Sequence, residues 1–127
     1  MVNKVAFVFP GQGSQAIGML SEFAATRSSV LDTFAEASAT LGYDLWQLIQ
    51  NGPEAHLNQT VFTQPALLAA SIALWRLARE DGVAEPDMLA GHSLGEYSAL
   101  IAAGVIDFAD GIKLVQLRGQ FMQTAVP

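Results

Sequence analysis

A serine between two glycines is the residue of this sequence whose type and spacing most clearly indicate chemistry. Residues 91–95 read Gly-His-Ser-Leu-Gly, directly after the short apolar run 88–90 and directly before a helical run that begins at Glu96. In a strand-turn-helix context, the closely packed glycines let the turn project the serine hydroxyl at the end of a sheet. The pattern therefore predicts that Ser93 is a nucleophile. The alternative is a plain glycine-rich turn in which the serine caps the helix.

Two backbone N–H groups are candidates for stabilising an oxyanion near this serine. The helix that begins at the turn directs free N–H groups at any anion formed there, and the Leu94 N–H is placed to be one donor. A second donor should come from a loop at the carboxyl end of a neighbouring parallel strand. Residues 11–13 read Gly-Gln-Gly directly after the apolar run 5–9, which makes the Gln12 N–H the candidate. A glycine turn without a function explains this loop equally well.

Arg118 is a cationic residue in an apolar stretch of helix. Leu114 and Met122 lie one helical turn on either side of it. A guanidinium there must reach water or pair with an anion, because a desolvated charge without a partner costs on the order of several kcal/mol. Its planar fork could hold a substrate carboxylate through two parallel hydrogen bonds. From the residues alone, a solvated arginine is the favoured interpretation.

An activated serine needs a base, and the chain offers two histidines. Neighbouring side chains at such a turn diverge, so His92 is interpreted as structural, with a direct role left open. His56 lies in a helical segment without a motif around it and is interpreted as a surface histidine. The 127 residues therefore contain no convincing base for Ser93.

Composition excludes several classes of function. The six Lys and Arg residues are scattered and opposed by 12 Asp and Glu residues, which argues against nucleic acid. The absence of cysteine excludes thiolate metal sites, and two histidines would need carboxylate help, so no metal is expected. Residues 1–10 lack the pattern of a signal peptide. The apolar stretches 66–75 and 98–106 are shorter than the roughly 20 residues of a membrane helix, so we expect a cytoplasmic protein with no membrane association.

The hydrophobic pattern predicts an α/β fold with two strands and about six helices. The apolar run 5–9, ended by Pro-Gly, is typical of a strand buried on both faces of a parallel sheet, and 88–90 is the second strand. The more sharply defined helices are one that ends before Gly42, one that begins on Asp44, a core helix over about 63–81 with Gln64 as its cap, and one that begins at Asp107. Two strands are few for this much helix, so the chain is expected to be incomplete.

Four motifs in this order resemble the bacterial malonyl-CoA:acyl carrier protein transacylases. They are Phe-Pro-Gly-Gln-Gly-Ser-Gln (9–15), Thr-Gln-Pro-Ala-Leu (63–67), Gly-His-Ser-Leu-Gly-Glu-Tyr (91–97) and Arg-Gly-x-x-Met-Gln (118–123). The resemblance spans essentially the whole chain and extends to the acyltransferase domains of fatty-acid and polyketide synthases. It implies that residues 1–127 are the N-terminal portion of an α/β-hydrolase-like, parallel-sheet large subdomain. The family's ferredoxin-like small subdomain would then be absent from this chain.

The resemblance also implies a reaction in fatty-acid biosynthesis. Malonyl passes from coenzyme A to the serine matching Ser93, and then to the phosphopantetheine thiol of acyl carrier protein, in a ping-pong sequence. The partners are malonyl-CoA and the carrier, and no cofactor is implied beyond the coenzyme A thioester, which is the substrate. The implied roles are oxyanion-hole amides for Gln12 and Leu94, malonyl carboxylate binding for Arg118, and support of the site for His92, Gln64 and Met122.

The base of that family is a histidine from a later segment, which here would lie beyond Pro127. Residues 1–127 alone are therefore expected not to transfer malonyl groups. A serine thioesterase or esterase is the alternative activity, because the serine turn does not distinguish transfer to water from transfer to a thiol. An inert or assembly-dependent fragment is the non-enzymatic alternative. The carrier is acidic, as this chain is, so its docking site is expected to involve residues outside it.

Overall fold

A computed structural model describes residues 3–125, which form two strands and seven helices. The elements in chain order are β1 (Ala6–Phe9), α1 (Ser21–Thr26), α2 (Ser28–Leu41), α3 (Leu45–Asn51), α4 (Glu54–Leu57), α5 (Thr60–Glu80), β2 (Met88–Gly91), α6 (Leu94–Ala102) and α7 (Phe108–Ala125). This mixed composition with a small parallel sheet confirms the predicted α/β class. Helices outnumber the roughly six expected because one-turn segments such as α4 are too short to carry a periodic pattern.

The two strands pair in parallel and bring their carboxyl ends together. The register runs from Ala6 opposite Met88 to Phe9 opposite Gly91. The segment that follows β1 is the loop 11–13, and the segment that follows β2 is the turn at Ser93. Because parallel strands end at the same edge of a sheet, these two candidate segments become neighbours.

The residues that the structure describes cover only one of the two faces of the sheet. Phe7 and Phe9 make edge contacts with Trp75 of α5, with ring centroids 5.5 and 6.4 Å apart. On the other face Val8 is 76% exposed, and Met88 of β2 is 60% exposed. The prediction that the first strand is buried on both faces is therefore wrong for residues 3–125, because their helices leave the second face open.

The core helix α5 begins earlier than its sequence predicted. It starts at Thr60 after Gln59, so Gln64 is not its cap and Pro65 lies inside it. Proline favours the first turn of a helix, and that preference misplaced the start. The Thr63 hydroxyl lies within hydrogen-bond distance of the Leu57 and Gln59 carbonyls, which connects this extra turn to the end of α4.

The length of α5 also differs from expectation. With 21 residues it is long and apolar enough to cross a membrane by length and composition, contrary to the expectation that no stretch would be. However, 67% of its apolar window is buried inside the fold. The helix packs against α2, α6 and α7 and forms the centre of the core, as its nearly uniform apolar pattern predicted.

The other predicted boundaries agree with the structure. α2 ends before Gly42, which adopts a left-handed φ of 84°. α3 begins after Asp44, whose Oδ1 accepts from the Gln47 N–H at 3.0 Å. α7 begins directly after Asp107 and buries Phe108, Ile112 and Val115 against the core. These helices are set by local signals, which is why their sequence was sufficient to find them.

Candidate active site

Ser93 occupies a backbone conformation that side chains seldom adopt. Its φ is 57° and its ψ is −116°, which lies outside the regions open to most residues. α6 begins at the next residue, yet the Ser93 side chain makes no capping hydrogen bond to it. The alternative of a helix-capping serine therefore does not describe this turn. The hydroxyl is exposed at the carboxyl end of β2, where the pattern predicted a nucleophile would be.

Both glycines of the motif are required by close packing. A Cβ on Gly91 would overlap the carbonyl oxygen of Gly95, and a Cβ on Gly95 would overlap the carbonyl oxygen of Phe9. The turn is thus pressed against itself and against the end of β1. This contact fixes the position of Ser93 relative to the first strand and its loop.

The loop 11–13 lies against the serine turn. A Cβ on Gly11 would stand 2.9 Å from the His92 carbonyl oxygen and 4.0 Å from the Leu94 nitrogen. The N–H groups of the two residues that follow Leu94 donate to backbone carbonyls of the serine turn at 3.0 and 3.1 Å. Within residues 3–125, the N–H groups of Leu94 and Gln12 donate to no acceptor. The two predicted oxyanion donors are therefore neighbouring and free.

Arg118 lies beside Ser93 and bonds to neutral groups. Its Nη2 donates to Ser93 Oγ at 2.9 Å and its Nη1 donates to Gln64 Oε1 at 2.8 Å. The guanidinium also stands 5.5 Å from the centre of the Tyr97 ring. No carboxylate in the described part of the chain lies within 4.0 Å of it. The half-buried Arg118 is thus not the solvated arginine that the residues alone favoured, and its charge has no counterion there.

The approach of α7 to α5 explains how Arg118 reaches this position. A Cβ on Gly119 would stand 2.8 Å from Val61 Cα and 3.0 Å from the Thr60 carbonyl oxygen. The Val61 N–H donates to Gln123 Oε1 at 3.3 Å. The glycine next to Arg118 therefore lets the two helices touch at the first turn of α5, next to Gln64.

Gln64 and Met122, both expected to support the site, contact each other. Gln64 is fully buried, and its Nε2 donates to Met122 Sδ at 3.3 Å and to Thr60 Oγ1 at 3.0 Å. The Thr60 hydroxyl donates to Gln12 Oε1 at 3.0 Å. Sequence reasoning missed Thr60, although it lies four residues before Gln64 and so on the same helical face.

Neither histidine hydrogen-bonds to the serine hydroxyl among the residues that the structure describes. His92 is exposed, and its carbonyl, rather than its ring, accepts a hydrogen bond from the Gly95 N–H. His56 is not the surface histidine expected, because it is half-buried with its ring centroid 4.1 Å from that of Phe62. In residues 3–125, the only hydrogen bond to Ser93 Oγ comes from Arg118.

The acidic and histidine side chains show no metal-binding arrangement in the part of the chain that the structure covers. No three of them cluster as candidate ligands there. The site thus consists of a hydroxyl, a guanidinium, an amide and two backbone N–H groups. This set suits an anionic acyl group whose carbonyl reacts with the hydroxyl.

Comparisons with known proteins agree on one family. A family model described as the acyl transferase domain matches residues 6–127. The malonyl CoA-acyl carrier protein transacylase of Salmonella typhimurium is 63% identical over 126 residues, which are 99% of this chain and 41% of that protein. The match extends along essentially the whole chain, so the matched range spans the positions of all four motifs.

Solved structures give the same result. An acyl carrier protein S-malonyltransferase from Vibrio cholerae matches with a TM-score of 0.96 and 65% identity, over 98% of this chain and 41% of that one. A malonyl-transacylase solved in complex with a type II polyketide synthase acyl carrier protein matches with a TM-score of 0.96 and 62% identity, over 98% of this chain and 40% of that one. The chain therefore spans about two fifths of the length of these relatives.

Proposed function

Because the chain belongs to the acyl transferase domain family, we propose that the protein containing it moves malonyl from coenzyme A to acyl carrier protein through an ester on Ser93. The observation that carries the proposal is the 2.9 Å hydrogen bond from Arg118 Nη2 to Ser93 Oγ. It joins a serine in a strained turn to a guanidinium without a counterion among the described residues. Coenzyme A thioester is the substrate, and no cofactor is proposed.

The distance between the two side chains suits a malonyl group. In a malonyl ester, a single methylene separates the carboxylate from the carbonyl carbon bound to Ser93 Oγ. The cation that holds this carboxylate must therefore lie next to the serine. Arg118 lies there, and its planar fork can donate two parallel hydrogen bonds to the carboxylate oxygens. An acetyl group has no carboxylate and gains nothing from this contact, so the arginine supports selectivity for malonyl.

The proposed reaction has two steps. Ser93 Oγ attacks the thioester carbonyl carbon, an O–C bond forms, the C–S bond breaks, and coenzyme A leaves as a thiol. The hydroxyl proton passes to a general base and then to the departing sulfur. The carrier thiol next attacks the ester, an S–C bond forms, the O–C bond breaks, and Ser93 regains a proton. In both steps the carbonyl oxygen becomes negative beside the N–H groups of Gln12 and Leu94.

The general base is proposed to be a histidine outside residues 1–127. Arg118 occupies a lone pair of Ser93 Oγ and cannot accept a proton, so it leaves the hydroxyl proton for another group. Within the described range, neither His56 nor His92 hydrogen-bonds to this hydroxyl. A chain limited to residues 1–127 is therefore proposed to lack turnover. Because His92 does not hydrogen-bond to the hydroxyl, it is proposed to support the site rather than to act as the base.

Transfer to a carrier thiol is supported by the relatives. One of them was solved in complex with its acyl carrier protein, and others are named as transacylases. Ser93 is exposed, so a long phosphopantetheine arm could reach it. Hydrolysis of the same ester by water is the competing outcome, and the experiment must separate the two.

The test is the intact mass of the full protein after brief incubation with malonyl-CoA. We expect the mass of one malonyl group to be added, to map to Ser93, and to be absent from Ser93→Ala. Addition of phosphopantetheinylated carrier should then remove the label and transfer it to the carrier. Release of free malonate at the same rate without carrier would instead identify a thioesterase. No label on Ser93 would exclude both enzymes.

A further inference from the structure

Four side chains form a continuous line of hydrogen bonds from Arg118 to the loop of Gln12. Arg118 Nη1 donates to Gln64 Oε1 at 2.8 Å, and Gln64 Nε2 donates to Thr60 Oγ1 at 3.0 Å. The Thr60 hydroxyl in turn donates to Gln12 Oε1 at 3.0 Å. The line therefore connects the side of the site proposed to hold the carboxylate with the side proposed to hold the oxyanion.

The direction of each hydrogen bond is fixed by its neighbours. A guanidinium only donates, so it requires the oxygen of the Gln64 amide and turns the NH₂ group towards Thr60 and Met122. The Thr60 hydroxyl accepts from this NH₂ group, and its single proton is left for Gln12 Oε1. Because Gln64 is fully buried, the flipped amide would leave buried polar groups unsatisfied. Thr60 is therefore the one hydroxyl that passes this orientation on to the loop.

The loop needs such a restraint at Gln12. It lies between two glycines, and Gly13 has a left-handed φ of 111°. Glycines on both sides give the backbone wide freedom. The Gly13 N–H donates to Gln15 Oε1 at 2.8 Å, which restrains the far side of the loop. Gln12 itself is exposed, and its side chain is held by Thr60.

From this arrangement we propose that Thr60 is a positioning residue that fixes the Gln12 backbone N–H relative to Arg118. The oxyanion donor and the carboxylate clamp are then held as one unit through Gln64. Among the described residues the Thr60 hydroxyl bonds only to Gln12 and Gln64, so it acts on the site through them. The kinetic consequence rests on the proposed function, whereas the ordering of Gln12 does not.

Two substitutions at one position test the role of the hydroxyl. Thr60→Val keeps the branched shape and removes the hydroxyl, whereas Thr60→Ser keeps the hydroxyl. We expect Thr60→Val to slow acylation of Ser93 by malonyl-CoA by roughly fivefold to tenfold, mainly in kcat, because one hydrogen bond is lost. Thr60→Ser should restore most of the rate. Thr40→Val is the matched control, because its hydroxyl bonds to its own helix, at the Glu36 carbonyl.

A double mutant and a backbone measurement complete the test. Gln12→Ala keeps the backbone N–H, so adding it to Thr60→Val should cause little further loss of rate, because both changes break the same contact. Nitrogen-15 relaxation should show a more mobile Gln12 amide in Thr60→Val than in Thr60→Ser, at an unchanged unfolding temperature.

The outcomes separate this inference from the proposed function. Equal rates in Thr60→Val and Thr60→Ser, or an equally ordered Gln12 amide in both, would overturn the positioning role. If the unmodified protein never carried malonyl on Ser93, the proposed function would fail. The relaxation measurement would still decide whether Thr60 orders the loop.

Discussion

The surroundings of Arg118 in the fold differ from those that its sequence neighbours indicate. Its sequence neighbours are apolar and favoured a solvated side chain, yet the guanidinium lies against Ser93, Gln64 and Tyr97. A guanidinium held by neutral partners keeps its full charge for a substrate anion. The position of Ser93 in a turn between β2 and α6 could be predicted because that turn is local in sequence. The position of Arg118 could not, because it depends on contacts made across the fold.

Ser98 offers a test of stability at the residue scale. It is buried in α6, and its hydroxyl has no hydrogen-bond partner among the residues that the structure places. A buried unsatisfied hydroxyl costs about 1–3 kcal/mol, so Ser98→Ala should raise the free energy of unfolding by about 1 kcal/mol. Thr33→Val is the matched control and should lower it, because the Thr33 hydroxyl bonds to the Ser29 carbonyl and to Arg76. Urea unfolding measures both, and a destabilised Ser98→Ala would contradict the assignment.

Tyr43 should make the free energy of unfolding depend on pH. Its hydroxyl is buried without a partner in the described chain, and burial raises the pKa of Tyr43 to about 12 from 10.0. Because the pKa is raised in the folded state, the contribution of the neutral phenol to stability is fully present below pH 10 and is lost as the pH rises towards 12. The free energy of unfolding should therefore fall across this window, and less steeply in Tyr43→Phe. Unfolding at stepwise pH checks this, and equal slopes for the two proteins would refute it.

At the scale of elements, the sequence was sufficient wherever a boundary depends on local chemistry. The Asp44 cap, the Gly42 terminator and the strand before Pro10 all agree with the structure. The start of α5 was misplaced because Pro65 is tolerated inside it by the surrounding packing. The burial of β1 on both faces was wrongly predicted for the described residues. A continuous apolar strand indicates that both of its faces are buried in the fold, but it does not show which residues bury them.

Gly95 joins two elements and can be tested at that scale. An added methyl would overlap the Phe9 carbonyl oxygen, so Gly95→Ala must push α6 away from β1. We expect a loss of about 3 kcal/mol or more in the free energy of unfolding, as for other severe steric conflicts. Ala99→Gly on the same helix is the control and should cost only about 1 kcal/mol through helix propensity. Similar losses in both variants by urea unfolding would show that the contact is not required.

At the scale of the whole molecule, one face of the sheet is not covered by any of the described residues. A groove of about 310 Å³ beside β1 is lined mostly by apolar side chains of that strand and of α5, and Val8 and Met88 stand exposed. The chain spans about two fifths of its relatives. We propose that residues 1–127 are one portion of a larger subdomain, that further strands outside this portion extend the sheet, and that the elements connecting them cover the exposed face.

Val8→Lys tests this proposal in two settings. In a chain limited to residues 1–127, Val8 is exposed, so the substitution should change the free energy of unfolding by less than about 0.5 kcal/mol and reduce binding of a hydrophobic dye. In the full protein, the same lysine would be buried without a partner and should cost on the order of several kcal/mol. Thermal unfolding of both pairs measures the difference. Equal tolerance in the full protein would show that this face stays open.

We propose that Ser93 and Arg118 together form a malonyl-selective acyl-enzyme site, and the acyl selectivity of an Arg118 variant decides whether they do. The measurement is kcat/KM of the full protein for malonyl-CoA and acetyl-CoA, with Arg118→Ala and with Arg76→Ala as control, since Arg76 pairs with Glu36 instead. We expect Arg118→Ala to lose about 100-fold or more for malonyl-CoA, as expected for a lost charged clamp, and far less for acetyl-CoA. An equal loss for both thioesters would show that Arg118 does not bind the malonyl carboxylate.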